Sequence, residues 1–172
     1  MPVHRISRDQ HPHAVARAVV QLAAREAYHD TAALRGAALE ALAPLARNVG
    51  DAELTGRWVP GALHRWARAV TFVREPGPLG EVLLSARHTI RSNMGDCDDV
   101  ALAVCAMAMV FGVRATAVVR WIGPRMAHVA AVVAPDWNGS APALVIDPQL
   151  EAIVELERGS PWQFGRVMPE AL

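Results

Sequence analysis

The sequence contains no lysine: all 17 of its basic residues are arginine. The surface therefore offers no lysine amine for modification. An excess of either charge is also missing. The 17 acidic residues balance the arginines to a formal net charge of zero, which gives no long-range pull toward nucleic acid or an anionic membrane. Basic and aromatic residues do not interleave along any stripe, so no nucleic-acid partner is expected. Long apolar runs are absent too. The longest stretch free of charge, Val100–Val113, has 14 residues, against ~20 needed to span a bilayer. Met1–His13 holds three histidines, two arginines and an aspartate but no apolar centre. It reads as a polar leader, not a signal peptide, and no membrane partner is expected.

Cysteine is scarce. Only Cys97 and Cys105 are present, eight residues apart in what reads as one helix. That spacing separates them by ~12 Å along the axis, beyond disulfide reach. Two thiols point to a reducing interior, and a cytoplasmic setting is expected. The chain has 172 residues, 52 % hydrophobic and 20 % charged. A chain of this size buries ~70 % of its unfolded surface, enough for a real core. This composition excludes a disordered tail, a collagen-like repeat and a disulfide scaffold. There is no internal repeat or low-complexity tract.

The first half reads helical. Val15, Val19 and Leu22 form one apolar stripe; Leu34, Ala38, Leu42 and Leu45 form a second, with Thr31 as its expected cap and Asn48–Gly50 as its close. Pro44 is expected to kink or tighten the end of that helix. Trp58, Val59 and Pro60 read as a linker before a third stripe, Leu63, Trp66 and Val70. Pro76-Gly77-Pro78 breaks the chain, and a short helical turn follows over Ser85–Arg91. The second half differs. Asp96–Phe111 reads as an apolar helix closed by Gly112. Val113–Ile122, Ala127–Val133 and Ala143–Ile146 read as strands, split by Gly123-Pro124 and by Asp136–Ser140. Short links between strands predict an antiparallel sheet and an α+β fold. Asn138-Gly139-Ser140 matches a glycosylation acceptor, but a turn explains it fully.

Gly95-Asp96-Cys97-Asp98-Asp99 is the least ordinary segment. Asp96 is placed to cap the helix and Cys97 to occupy its first turn, where amide N–H groups and the helix dipole favour a thiolate. The neighbouring carboxylates oppose that, so a histidine partner is required. Cys97 is either a nucleophile or an inert thiol; three aspartates in four residues argue against burial there. Cys105, in an apolar run, reads as core. His128 shares a strand face with Ala130 and Val132 and is either a satisfied half-core residue or a base at the sheet edge. His88 ranks behind it, His64 reads as exposed on a helix, and His4, His11 and His13 lie in the leader. Asp147, fixed by Pro148, either orients a histidine or makes an ordinary Asp-Pro turn. Together the three make a nucleophile, base and orienter on separate elements. Trp121 is the best groove candidate and Trp66 reads as core.

The segment 95–99, with Ala101-Leu102 and Phe111-Gly112-Val113-Arg114, resembles the nucleophile region of the transglutaminase-like superfamily, whose members share a papain-like catalytic core. Ala127-His128-Val129 and Ile146-Asp147-Pro148 are similar to its later motifs. Trp66, Phe72-Val73-Arg74 and the segment through Arg87 resemble the stand-alone version found in tailed phages and prophages. The resemblance implies Cys97 as nucleophile, His128 as base and Asp147 as orienting carboxylate, acting through a thioester on a peptide or amide. The resemblance covers about residues 60–150 and implies a catalytic core (57–155) with the Cys-bearing helix packed on an antiparallel sheet; the N-terminal helical region (1–56) is either packed on that core or appended to it, and 156–172 reads as a C-terminal tail. Asn93 and Trp121 are candidates for the oxyanion site or groove. Asp96, Asp98 and Asp99 are supporting residues, of which Asp98 and Asp99 are expected to bind water, a substrate cation or an arginine. No cofactor is implied. A metal site of Asp96, Asp98, Asp99 and His128 lacks a histidine pair or zinc spacing. The expected partner is a protein or peptide, such as a phage structural protein or cell-wall peptide, in the cytoplasm or on the virion. The competing expectation is a phage or prophage assembly protein that keeps the fold without the chemistry.

Overall fold

The computed structural model describes residues 3–6, 12–46, 58–73, 81–121, 127–134, 142–156 and 162–164. In chain order the elements are β1 (Val3–Ile6), α1 (Pro12–His29), α2 (Thr31–Ala46), α3 (Trp58–Ala69), β2 (Thr71–Phe72), β3 (Glu81–Leu84), α4 (Ala86–Ser92), β4 (Met94–Gly95), α5 (Cys97–Val110), β5 (Arg114–Trp121), β6 (Ala127–Ala134), β7 (Leu144–Ile146), β8 (Val154–Glu155) and β9 (Gln163–Phe164).

The centre of the fold is α5. It is apolar around its whole circumference, and every residue from Asp98 to Ala108 is buried. A helix of that kind has to be covered on all sides. On one side it lies on a five-stranded antiparallel sheet of order β8-β7-β6-β5-β9. On the others it meets α1, α2, α3 and α4. Val15, Val19, Leu34, Leu42, Leu63 and Leu102 belong to one buried cluster. The N-terminal helices are thus part of the same core, not an appendage.

Alternation sorts the sheet into two covered faces. Val119, Val129, Ala131, Val133 and Ile146 share the core with α5. Val118, Ala130, Val132 and Val145 pack under Trp162 on the far face. Burial on both faces accounts for the continuous apolar run of β6. The segment 162–164, placed in the tail by the sequence, joins the sheet through β9, which pairs with Val118 and Val119.

Some local expectations change. The supposed linker Trp58-Val59-Pro60 opens α3; proline is tolerated in a first turn, where its missing N–H has no helical partner to lose. Part of the polar leader, His4 included, forms β1, paired antiparallel with β3, and His13 lies within α1. Thr31 does not cap α2. Its hydroxyl donates back to the Ala27 and Tyr28 carbonyls at the end of α1. Pro44 does lie inside α2. Gly112 ends α5 with φ +76°, the left-handed conformation that favours glycine. Asn48–Gly50, Pro76–Pro78, Gly123-Pro124 and Asn138–Ser140 lie outside the described residues. No helix among the described residues is long and apolar enough to cross a membrane.

Candidate active site

The start of α5 is built by carboxylates acting on backbone amides. Asp96 is the N-cap. Its side chain accepts from the Asp99 amide while the Asp99 carboxylate accepts from the Asp96 amide, a reciprocal capping box. The other Asp99 oxygen accepts from the Leu84 amide at 2.7 Å, tying β3 to the helix. Asp98 accepts from the Asp99 amide at 3.1 Å. These bonds explain why Asp96, Asp98 and Asp99 are only 8 %, 3 % and 3 % exposed, against the expectation that three close aspartates would stay in water. Glycine precedes them for a steric reason: a Cβ on Gly95 would stand 2.8 Å from the Asp99 Cβ. Oxygens of the three carboxylates lie within 4.8 Å of one another, a grouping that does not include His128.

Cys97 is the first residue of α5, half-buried and not in a disulfide. Its amide belongs to the helix-start set that has no intrahelical acceptor. Cys105 differs in every respect. It is fully buried, its thiol donates to the Thr116 carbonyl at 3.3 Å, and burial pushes its pKa up from 9.0 to about 12.

His128 and Asp147 meet. Nε2 of His128 lies 2.9 Å from Oδ1 of Asp147. The register explains the contact. Ala131 pairs with Ile146, so the next step along β7 sets Asp147 opposite Ala130, and His128 falls diagonally on the same face. The approach is close, but the ring N–H does not point along it. The two residues are only 4 % and 1 % exposed. Oδ1 of Asp147 also accepts from the Gln149 amide at 2.9 Å, and the Leu150 amide donates to the Asp147 carbonyl at 3.1 Å. Pro148 occupies the second position of that turn, where its fixed φ fits.

Helix α3 braces the same turn. His64 bonds the Leu150 carbonyl at 3.2 Å and Arg68 bonds the Glu151 carbonyl at 3.0 Å. His64 is therefore buried, not exposed as its helical position suggested. Its partner lies 86 residues away, which no local pattern reveals. Trp162 was also missed as a neighbour of the site; its ring centroid is 5.9 Å from that of His128.

Chain direction relates Cys97 to this pair. Between α5 and β5 the chain has only residues 111–113, so helix and strand run antiparallel. Fourteen helical residues span ~21 Å and eight strand residues ~26 Å. The start of α5 thus lies toward the sheet end where β5 stops, β6 begins and β7 stops. His128 and Asp147 lie at that end, but on the sheet face they share with Ala130, Val132 and Val145, away from α5. Trp121 lies at the same end, exposed and on the strand face that α5 covers. Asn93 is engaged elsewhere. It caps α4 at φ +52°, and its side-chain amide donates to the Ala69 carbonyl at 2.8 Å, bracing the end of α3.

Helices wrapped about a Cys-bearing helix, itself laid on an antiparallel sheet, make the α+β architecture of the papain-like, transglutaminase-like fold. Solved structures of Legionella pneumophila LapG share it. One matches at TM-score 0.50 and 14 % identity over 63 % of this chain and 62 % of that one. The EGTA-treated form matches at 0.50 and 15 %, over 63 % and 60 %. The calcium-bound form matches at 0.51 and 14 %, over 62 % and 61 %. The matched region thus spans about three fifths of LapG's length. The sequence matches no family model, and no curated protein matches it significantly.

Proposed function

We propose that this chain is a cysteine-dependent enzyme that hydrolyses or transfers the acyl group of a peptide or amide. Cys97 is the nucleophile, His128 the base and Asp147 the orienting carboxylate. The reading is supported above all by the buried His128–Asp147 pair, 2.9 Å apart, at the sheet end toward which Cys97 and its helix start. With Nε2 turned to Asp147, Nδ1 is the nitrogen left to take the thiol proton. Sulfur then bonds the carbonyl carbon, and negative charge moves to the oxygen, where the Cys97 amide at the helix start stabilises it. Collapse breaks the C–N bond, the leaving amine takes the imidazolium proton, and a thioester remains. Attack by water releases an acid and the free thiol; attack by an amine gives a new amide.

Substrates in this reading are peptides or proteins, with phage structural proteins and cell-wall peptides among them, in a cytoplasmic or virion-associated setting. One LapG structure is calcium-bound. Here Asp96, Asp98 and Asp99 are the hard oxygen donors that would hold such a cation, and no step above runs through it. The competing reading is a binding protein of virion assembly without chemistry. The deep burial of His128 and Asp147 favours it, because a structural ion pair is buried in the same way. A peptidyl vinyl sulfone separates the two. The enzyme reading expects a mass increase confined to Cys97, absent in Cys97→Ser and about 100-fold slower in His128→Ala. Equal labelling of His128→Ala and the parent favours the binding protein.

A further inference from the structure

Arg120 stands in the row of side chains that carries His128. The β5–β6 register sets the two directly opposite each other, and residues so paired share a sheet face. On the other side of β5, Val119 pairs with Gln163, so the next step sets Trp162 opposite Arg120. The order across the sheet at this level is therefore His128, Arg120, Trp162, with Asp147 beyond His128. His128 and Trp162 are buried, whereas Arg120 is exposed. Its guanidinium carbon lies 5.8 Å from the centre of the Trp162 ring, the range of a cation held on an aromatic face. An indole holds the cation but offers no oxygen to its five N–H donors. Among the described residues Arg120 pairs with no carboxylate. Asp147 belongs two strands away, ~10 Å in strand spacing, and already accepts from the Gln149 amide.

The carboxylates at the site act within the protein: Asp96 and Asp99 cap α5, and Asp147 meets His128. Arg120 instead presents a held cation beside the base. A guanidinium is matched best by a carboxylate, which accepts two parallel N–H bonds. We propose that Arg120 determines specificity: it binds a carboxylate of the substrate and so seats the scissile amide at Cys97 and His128. The substrate class is thus a peptide carrying a carboxylate near the scissile bond, from an acidic side chain or from the chain's own C-terminus. Because the indole already restrains the guanidinium, less side-chain freedom is lost when substrate arrives. The proposal rests on the reading of Cys97 as nucleophile and His128 as base.

The test is the rate at which Cys97 is labelled by peptidyl vinyl sulfones carrying Glu, Gln or Arg at each of three positions before the reactive group. For an acidic side chain, one position favours Glu over Gln about tenfold in the parent, the scale of one charge-assisted contact, and the preference shrinks as salt is raised. Arg120→Gln abolishes it, Arg120→Lys keeps part of it, and Arg120→Glu turns it toward Arg. Should Arg120→Glu fail to fold, the Gln and Lys variants carry the comparison. A second arm reads the C-terminal source: peptides ending in a free carboxylate protect Cys97 from the Gln probe at about tenfold lower concentration than their amides, and Arg120→Gln removes the difference. A preference in either arm that depends on Arg120 supports the proposal and says which carboxylate it takes. Labelling of Cys97 with no preference in either arm, or with a preference that survives in Arg120→Gln, overturns the role of Arg120 and leaves the nucleophile standing. A parent protein that no probe labels overturns the enzyme reading and the proposal together.

Discussion

The Asp99 carboxylate accepts the Leu84 amide at 2.7 Å, so the strand before α4 and the helix after it share one buried charge. The same carboxylate closes the capping box with Asp96. Removing it orphans the Leu84 amide and one helix-start amide. Asp99→Ala is expected to cost about 3 kcal/mol of stability, read as a lower urea midpoint at unchanged slope. Asp99→Asn, which keeps one acceptor oxygen, costs less. A loss under about 0.5 kcal/mol in the Ala variant would refute this role.

Gly95 has no room for a side chain. A Cβ there would stand 2.8 Å from the Asp99 Cβ and 3.2 Å from Cγ2 of Thr89. Gly95→Ala therefore shifts the start of α5 and is expected to cost about 1–3 kcal/mol. Because Cys97 is two residues on, its alkylation rate should change as well. The check is to measure both in one preparation.

The two thiols should separate cleanly. One equivalent of thiol reacts with an aromatic disulfide reagent in the folded protein and two after denaturation, with Cys105 the protected one. Its pKa of about 12 lies above the ordinary 9.0, so the folded state holds a proton that the unfolded state releases. This contribution is fully present below pH 9 and is lost as pH rises from 9 toward 12, at about 1.4 kcal/mol per pH unit. Cys105→Ala should flatten stability against pH in that window. An unchanged slope would contradict the assignment.

His64 holds the turn that presents Asp147. His64→Ala leaves the Leu150 carbonyl without that donor and is expected to cost about 1–2 kcal/mol. If the brace serves the site, His64→Ala also slows the alkylation of Cys97 below pH 7, whereas Arg65→Ala, on an exposed position of the same helix, does not.

Much of this architecture could be read directly from residue order, and the exceptions have physical causes. The apolar helix, its glycine stop and the three main strands follow from hydropathy and turn residues, because burial imposes those patterns locally. The parity of His128 with Ala130 and Val132 was legible for the same reason. The burial of Asp96, Asp98 and Asp99 was not, since Asp99 draws one of its amides from β3. His64 and Trp162 escaped because their partners, Leu150 and His128, lie far off in sequence. Pro60 hid the start of α3 because a first-turn proline looks like a break. Asn93 looked available as a donor until its amide was found on Ala69.

The pairing of sulfur with imidazole is tested most directly by the rate of Cys97 alkylation by iodoacetamide from pH 5 to 10, in the parent and in His128→Ala. An ion pair keeps the thiolate populated below pH 7, so the parent should react quickly there. His128→Ala should lose that limb and follow a single ionisation near pH ~8.5. Superimposable curves for the two proteins would contradict the proposed nucleophile and base.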